Sequence, residues 1–162
     1  MIVLGLVLPV DLLKSASIAY IHYLSFMICF GALIYERLSL KAQPNRQQAI
    51  SMVIADIIYG IAGVALLVSG IYRVIKFGQG SEFYTQNPIF WTKIVVFALV
   101  GSLSLYPTIT YVLWAIPLSK GTLPVVTQNL VSRLRLIINI ELVGFALIPF
   151  LATLMARGVG VG

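Results

Sequence analysis

The stretch ISMVIADIIYGIAGVALLVSGIYRV, residues Ile50–Val74, decides the fold. It is apolar except for Asp56 near its start, Arg73 near its end and a few small polar side chains. An α-helix of about 20 predominantly apolar residues is long enough to cross the hydrocarbon core of a bilayer. Because lipid offers no hydrogen-bond partners to the backbone, such a stretch must form a helix. Residues Ile50–Val74 therefore predict a transmembrane helix.

Three further apolar runs have a similar length, at Ser17–Ile34, Pro88–Ile116 and Leu136–Met155. The whole chain is 60% hydrophobic and 10% charged, with a mean hydropathy of +1.01. Together the four runs predict an all-α polytopic membrane protein, with residues 1–162 forming one antiparallel four-helix bundle. The first ten residues, Met1–Val10, are too short to span the membrane and are predicted to be an interfacial segment.

The net charge of +6 comes from basic residues that cluster at the ends of the predicted spans. Lys and Arg at these positions flank helices, set topology and meet anionic lipid, so the predicted partner is the bilayer and not a nucleic acid. Without Arg73 and Lys93, which we assign to the bundle interior, the first and third linkers with the start of the fourth span carry the larger basic charge. The positive-inside rule then predicts an inner-membrane protein with both termini outside the cytoplasm.

The first span carries a single polar stripe, formed by His22, Ser25, Cys29 and Glu36. At about 100° per residue these side chains fall within an arc of about 60°, so the stripe is predicted to face protein. His22 and Glu36 lie about 21 Å apart along the axis, near opposite membrane surfaces. His22 is either an interfacial histidine bonded to a neighbour or part of a haem, metal or proton-relay site.

The second span combines small residues with a charge near each end. Asp56, Gly60, Gly63 and Gly70 share one face of the helix, within about 80°. Glycines at such spacing allow helices to approach closely, so Gly60, Gly63 and Gly70 are predicted to be helix-packing positions. Asp56 begins this face and is therefore predicted to point inward.

Antiparallel threading of the four spans predicts two charged layers. The first is cationic and aromatic and consists of His22, Arg73, Trp91 and Lys93. The second is an ion-pair layer that consists of Glu36, Asp56, Arg133, Arg135 and Glu141. Ionisable groups inside a membrane usually pair with one another. We therefore predict that Arg133 or Arg135 contacts Glu36 or Asp56.

Five segments carry a resemblance to a known family: YIHYLSFMICFGALIYERL, ADIIYGIAGVALLVSGIYRV, GQGSEFYTQNPIFWTKI, SLYPTITY and LMARG. They resemble an uncharacterised family of small bacterial four-helix membrane proteins. More distantly, the layout resembles HemJ-type protoporphyrinogen oxidases and the CopD-like copper-resistance membrane domain. The HemJ resemblance implies a haem-binding histidine early in the chain and a functional lysine later, to which His22 and Lys93 correspond by position.

Three functions remain open from the sequence. The first is a haem- or porphyrin-binding redox bundle, with His22 as axial ligand and Arg73 and Lys93 on the propionates, beside Trp91. The second is a non-catalytic subunit of a larger membrane complex or a homo-oligomer, and the third is ion or proton movement through the acidic residues. No sequence motif identifies a catalytic residue or a metal site, and one histidine excludes bis-histidine haem ligation within a single chain.

Overall fold

The computed structural model describes residues 2–3, 6–7, 9–77 and 81–160. Within these residues the chain forms four long helices, one short helix and a small pair of strands. Their bounds are β1 Ile2–Val3, β2 Leu6–Val7, α1 Val10–Ser39, α2 Arg46–Tyr72, α3 Ser81–Thr85, α4 Pro88–Ser119 and α5 Gln128–Ala156. β1 and β2 pair antiparallel, and a π-helical turn, Arg73–Phe77, continues α2. The helices α1, α2 with its π turn, α4 and α5 are long and apolar enough to cross a membrane, which confirms the predicted fold class.

The four long helices extend beyond the apolar runs that predicted them. α1 begins at Val10 instead of Ser17, and α5 begins at Gln128 instead of Leu136. The apolar pattern marks where hydrocarbon is met, whereas helical hydrogen bonding continues until a capping residue ends it. In α5 that residue is Thr127, whose hydroxyl accepts a hydrogen bond from the Leu130 backbone N–H. At the start of α4 the Asn87 side chain is the cap, since it accepts a hydrogen bond from the Ile89 N–H.

The long helices close into a ring in which α1 packs on α2 and α5, and α4 packs on α2 and α5. The core between them contains Cys29, Leu33, Met52, Tyr111, Leu134 and Ile138. Large apolar side chains also cover the outside of the bundle, among them Tyr20, Ile61, Val64, Val95, Leu105 and Val143. Helices that are apolar on every face are typical of membrane spans, because lipid solvates the outer surface.

The glycines that pack helices are not all the predicted ones. A methyl group added at Gly60 or Gly63 would meet no atom within 4 Å, so the predicted packing role of these two residues within the chain is wrong. The reason is that α2 turns Ala55 and Ala62 toward its neighbours, and both are buried. Gly70 does form a close approach, to His22. α4 and α5 also approach closely at Gly144, where a methyl group would overlap the side chain of Val100.

Candidate functional site

A cavity of about 850 Å³ lies in the half of the bundle that contains the start of α4 and the end of α5. All four long helices and α3 contribute to its wall. Its basic residues are His22, Arg73, Lys93 and Arg157, and no described lining residue is acidic. The rest of the wall is mainly apolar and includes the aromatic residues Tyr23, Phe26, Phe77, Phe83, Tyr84, Phe90 and Phe97. Three of the four residues of the predicted cationic layer are therefore together on one cavity.

His22 is held against α2 by two contacts of one ring nitrogen. Its Nδ1 lies 3.1 Å from the Leu66 carbonyl oxygen and 3.1 Å from the Ser69 hydroxyl. A carbonyl oxygen only accepts hydrogen bonds, so in the bond to Leu66 the proton is on Nδ1. Gly70 makes room for the ring, because a methyl group there would lie 3.1 Å from Cε1. Nε2 is then the ring atom that remains to bind a ligand from the cavity.

Arg73 and Lys93 each lie over an aromatic ring on the cavity wall. The Arg73 guanidinium is 5.0 Å from the centre of the Tyr23 ring, and its Nη2 donates to the Tyr23 hydroxyl at 3.3 Å. The Lys93 Nζ is 5.3 Å from the centre of the Phe90 ring. Both cations are close enough to His22 for their charges to act on it. In the described part of the chain neither one forms an ion pair, so the positive charge of this wall is uncompensated by protein.

Trp91, the fourth residue predicted for this layer, does not line the cavity. Its side chain is 52% exposed, and its Nε1 donates to the Thr85 carbonyl oxygen at 2.9 Å. The adjacent residue Phe90 faces the cavity in its place. Neighbouring residues of a helix point about 100° apart, so only one of the two aromatics can face inward. Trp91 links α3 to the start of α4.

The three membrane-embedded acids lie on the other side of the bundle core and are buried. The exposed fractions are 1% for Glu36, 5% for Asp56 and 0% for Glu141. Their charges act on one another, so they form one cluster. Asp56 Oδ1 accepts a hydrogen bond from the Thr108 hydroxyl at 2.8 Å, whereas Glu36 Oε1 and both carboxylate oxygens of Glu141 have no hydrogen-bond partner. As the polar stripe of α1 predicts, Glu36 faces protein.

The ion pairs that the sequence predicts for this layer do not form. Among the residues that the structure describes, no arginine or lysine forms an ion pair with Glu36, Asp56 or Glu141. Arg133 is exposed, and Arg135 donates from Nη2 to the Leu40 carbonyl oxygen at 2.8 Å, at the end of α1. The carbonyl groups at a helix C-terminus attract cations, and here this attraction holds Arg135 at the end of α1. The layer is thus a carboxylate cluster and not an ion-pair network.

Sequence reasoning missed the residues that α4 adds to this cluster. Tyr111 is fully buried, its hydroxyl has no hydrogen-bond partner, and the charges of all three acids act on it. Ser104, Thr108 and Tyr111 are spaced by four and three residues, the pattern of one helix face. That spacing was a usable signal for a polar face of α4. The apolar composition around it does not reveal which helix the face meets.

Aromatic side chains separate the two regions. The Phe26 and Phe145 rings are 5.5 Å apart, and the Phe145 and Tyr59 rings are 6.2 Å apart. Phe26 also lines the cavity, whereas Tyr59 lies near Glu141 and Glu36. The cationic cavity and the carboxylate cluster are therefore two sites with an apolar partition between them.

Comparison with known proteins identifies the family. The model of the family described as "Predicted membrane protein (DUF2214)" matches residues 14–160, which is nearly the whole chain. The chain belongs to this family, as the resemblance found in the sequence indicates. Neither a curated protein nor a solved structure matches it.

Proposed function

We propose that this integral membrane protein of the DUF2214 family binds an amphipathic anion in its cationic cavity, and that the ligand is haem b or a related porphyrin. The observation that carries the proposal is the convergence of His22, Arg73 and Lys93 on one cavity without an acidic residue in its described wall. Positive charges on a cavity wall without an acidic protein partner favour a ligand that brings negative charge. Such a ligand would make the protein a redox-associated bundle, which is the function that the HemJ-like layout proposed from the sequence implies.

The residues present fit a porphyrin in charge, shape and ligand chemistry. A cavity of about 850 Å³ is within the range of about 300–1,000 Å³ typical of small-molecule and cofactor sites. Arg73 and Lys93 would hold carboxylate groups, and the aromatic wall would pack on the flat apolar body. His22 would supply Nε2 as the axial ligand, with its ring fixed by the bond from Nδ1 to Leu66. Haem bound there would supply one-electron chemistry.

The test is an absorption spectrum of the detergent-purified protein, before and after haem is supplied. We expect a Soret band that is lost or shifted in His22→Ala and retained in Lys76→Ala, since Lys76 is exposed and does not line the cavity. A folded protein without a Soret band after haem supplementation would overturn the proposal. Mass spectrometry of the same sample would identify a different anion, such as a lipid, if one occupies the cavity.

A second candidate function is membership in an assembly, as a homo-oligomer or as a subunit of a larger complex. It is favoured by Gly60 and Gly63, which leave open space on the exposed surface of α2 where another helix could approach closely. Gly63→Leu would then lower the particle mass in mild detergent, whereas His22→Ala would not. An unchanged particle mass in Gly63→Leu would count against this candidate.

We also propose that both termini lie outside the cytoplasm, because the basic residues favour the linkers between α1 and α2 and between α4 and α5 on the inside. Cys29, the chain's one cysteine, is fully buried, so labelling of an introduced cysteine meets little background. A membrane-impermeant maleimide applied to intact cells should label Glu82→Cys and not Lys41→Cys. The reverse pattern would invert the topology.

A further inference from the structure

We propose that Glu36, Asp56 and Glu141 form, together with Tyr111, a proton-binding site inside the bundle, separate from the cationic cavity. The site is built from all four long helices: Glu36 from α1, Asp56 from α2, Tyr111 from α4 and Glu141 from α5. Nothing in the proposed ligand binding by the cavity requires these residues. Their arrangement calls for a function of its own.

Two independent observations point to this site. The first is the cluster itself, in which the charges of three carboxylates act on one another in the core. The second is that polar atoms directed into the cluster lack hydrogen-bond partners although their side chains are almost completely buried: Glu36 Oε1, Glu141 Oε1 and Oε2, and the Tyr111 hydroxyl. Buried polar atoms are rarely left unpaired in native proteins, and exceptions are often functional.

The absence of a countercharge identifies the occupant as the proton. A buried carboxylate that has lost water and gained no cation costs several kcal/mol, so such a group is neutralised instead. No arginine or lysine in the described chain pairs with the three acids, and His22 lies beyond the aromatic partition. The described residues also offer no group of three or more histidine, cysteine or acidic side chains arranged to hold a metal ion. A bound proton neutralises each acid without any of these partners.

Three of the four helices that surround the acids, α1, α2 and α4, also contribute neutral polar groups. Cys29 lies on the same face of α1, Tyr59 and its neighbour Ser104 approach from α2 and α4, and Thr108 donates to Asp56. Arg37 donates to Asn139 Oδ1, and Arg135 donates from Nη2 to the Leu40 carbonyl oxygen; the buried Nε of Arg135 has no hydrogen-bond partner, and neither arginine forms an ion pair with the acids. The side chains named around the acids are therefore hydroxyl and thiol groups, which can accept or pass a proton. None of the arginines named above pairs with an acid in place of a proton.

All three acids lie in the half of their helix that is joined to the linkers at residues 40–45 and 120–127. Glu36 is three residues before the end of α1 at Ser39, whereas Asp56 and Glu141 are ten and thirteen residues into α2 and α5. At about 1.5 Å per residue, these positions lie about 5, 15 and 20 Å from the respective helix ends. Protons thus enter from the side of the linkers at residues 40–45 and 120–127. Phe26 and Phe145 close the opposite direction, so the site is a one-sided proton store.

The proton step needs no further reactant. A hydronium ion of the aqueous phase gives one proton to a lone pair of a carboxylate oxygen: one O–H bond of the hydronium breaks, one O–H bond of the carboxylic acid forms, and water is released. Atoms and charge balance in each transfer.

Infrared spectroscopy of the full chain in lipid nanodiscs tests the proposal. At neutral pH we expect a carbonyl stretching band of protonated carboxylic acid that shifts when H₂O is exchanged for D₂O. The band should weaken in each of Glu36→Gln, Asp56→Asn and Glu141→Gln and should persist in the control Glu82→Gln, which alters an exposed acid. Circular dichroism of each variant identifies those that remain helical, and the three single variants keep the test independent of any one of them.

Two results would overturn the site. One is a spectrum that contains only ionised carboxylate bands, or a carboxylic acid band that all three variants leave unchanged. The other is a carboxylic acid band that appears only after Na⁺ or Ca²⁺ is removed, which would make the cluster a metal-cation site. In liposomes with an internal pH dye, a one-sided store should not conduct protons across the membrane. We therefore expect protein-containing liposomes to leak protons at the same rate as empty ones. A faster leak that Asp56→Asn abolishes would replace the store by a through path.

Discussion

The two polar regions of this bundle handle unpaired charge in opposite ways. In the cavity, Arg73 and Lys93 keep their cationic groups over aromatic rings at an open wall, where a large anion can reach them. In the carboxylate cluster, Glu36 and Glu141 are sealed in the core, where only a small occupant fits. No ion pair joins the two sets in the described chain, and the rings of Phe26 and Phe145 pack between them. A membrane bundle with both signs of charge therefore need not form internal ion pairs, and under our two proposals each region binds its own counter-ion.

The strongest test of this contrast reverses one charge in the cavity. Lys93→Glu places a carboxylate beside His22 and removes a charge-assisted hydrogen bond of about 1.5–3 kcal/mol. Affinity for the anionic ligand should fall about 10- to 100-fold, at about 1.4 kcal/mol per factor of ten. Titration with haem, followed by absorbance, measures the change.

Its matched control is Lys76→Glu, which makes the same reversal at an exposed residue outside the cavity wall. Equal losses in both variants would mean that overall charge, and not the cavity, attracts the ligand.

The next largest effect is expected in the carboxylate cluster, where a substitution should increase stability instead of lowering ligand affinity. Glu141→Leu removes two buried oxygens that have no hydrogen-bond partner. A buried polar group without a partner lowers the free energy of unfolding by about 1–3 kcal/mol. The free energy of unfolding should rise by about 2 kcal/mol, because the apolar side chain needs no occupant. Reversible unfolding in mixed detergent measures it. Glu82→Leu at an exposed site should change little, and a loss of stability in Glu141→Leu would show that the carboxylate has a partner.

A smaller effect is expected to distinguish two of the three glycines of α2, Gly70 and Gly63. Gly70→Leu pushes a side chain against the His22 ring, whereas Gly63→Leu enters open space. Haem affinity should fall about tenfold in the first variant, equivalent to about 1.4 kcal/mol, and stay unchanged in the second. If Gly70→Leu and Gly63→Leu bind haem equally well, His22 does not bind the haem.

The smallest effect concerns Trp91, which stabilises the rim of the cavity without lining it. Trp91→Phe removes the hydrogen bond to the Thr85 carbonyl oxygen, at a cost of about 0.5–1.5 kcal/mol of stability. Ligand affinity should stay the same. Thermal unfolding and a haem titration of one preparation separate the two quantities, and a large drop in affinity would restore Trp91 to the binding site.

The fold was predictable because hydropathy alone determines it in a membrane. Four apolar runs predict four helices, and the stripe from His22 to Glu36 predicts the buried face of α1. What the sequence could not supply was the rotation of each helix about its own axis. That rotation turns Phe90 and not Trp91 into the cavity, and Ala62 and not Gly60 toward its neighbours.

The prediction of ion pairs between the arginines and the acids was wrong for a related reason. Opposite charges at a similar predicted depth indicate pairing, but Arg135 has a competing acceptor in the Leu40 carbonyl group at the end of α1. The sequence shows that carboxylates and arginines are present. It does not show whether Arg135 binds a carboxylate or the carbonyl oxygen of Leu40. Tyr111 was missed because its partners come from three other helices.

The π-helical turn Arg73–Phe77 makes the shape of the cavity sensitive to chain length. A π turn bonds each N–H to the carbonyl five residues back, so it holds one residue more than the α-helix allows. Deleting a single residue there would let α2 continue as a regular helix and rotate everything beyond it by about 100°. Phe77 would then leave the wall. Loss or gain of one codon could thus reshape the entrance in a single evolutionary step, where point substitutions would change only its lining.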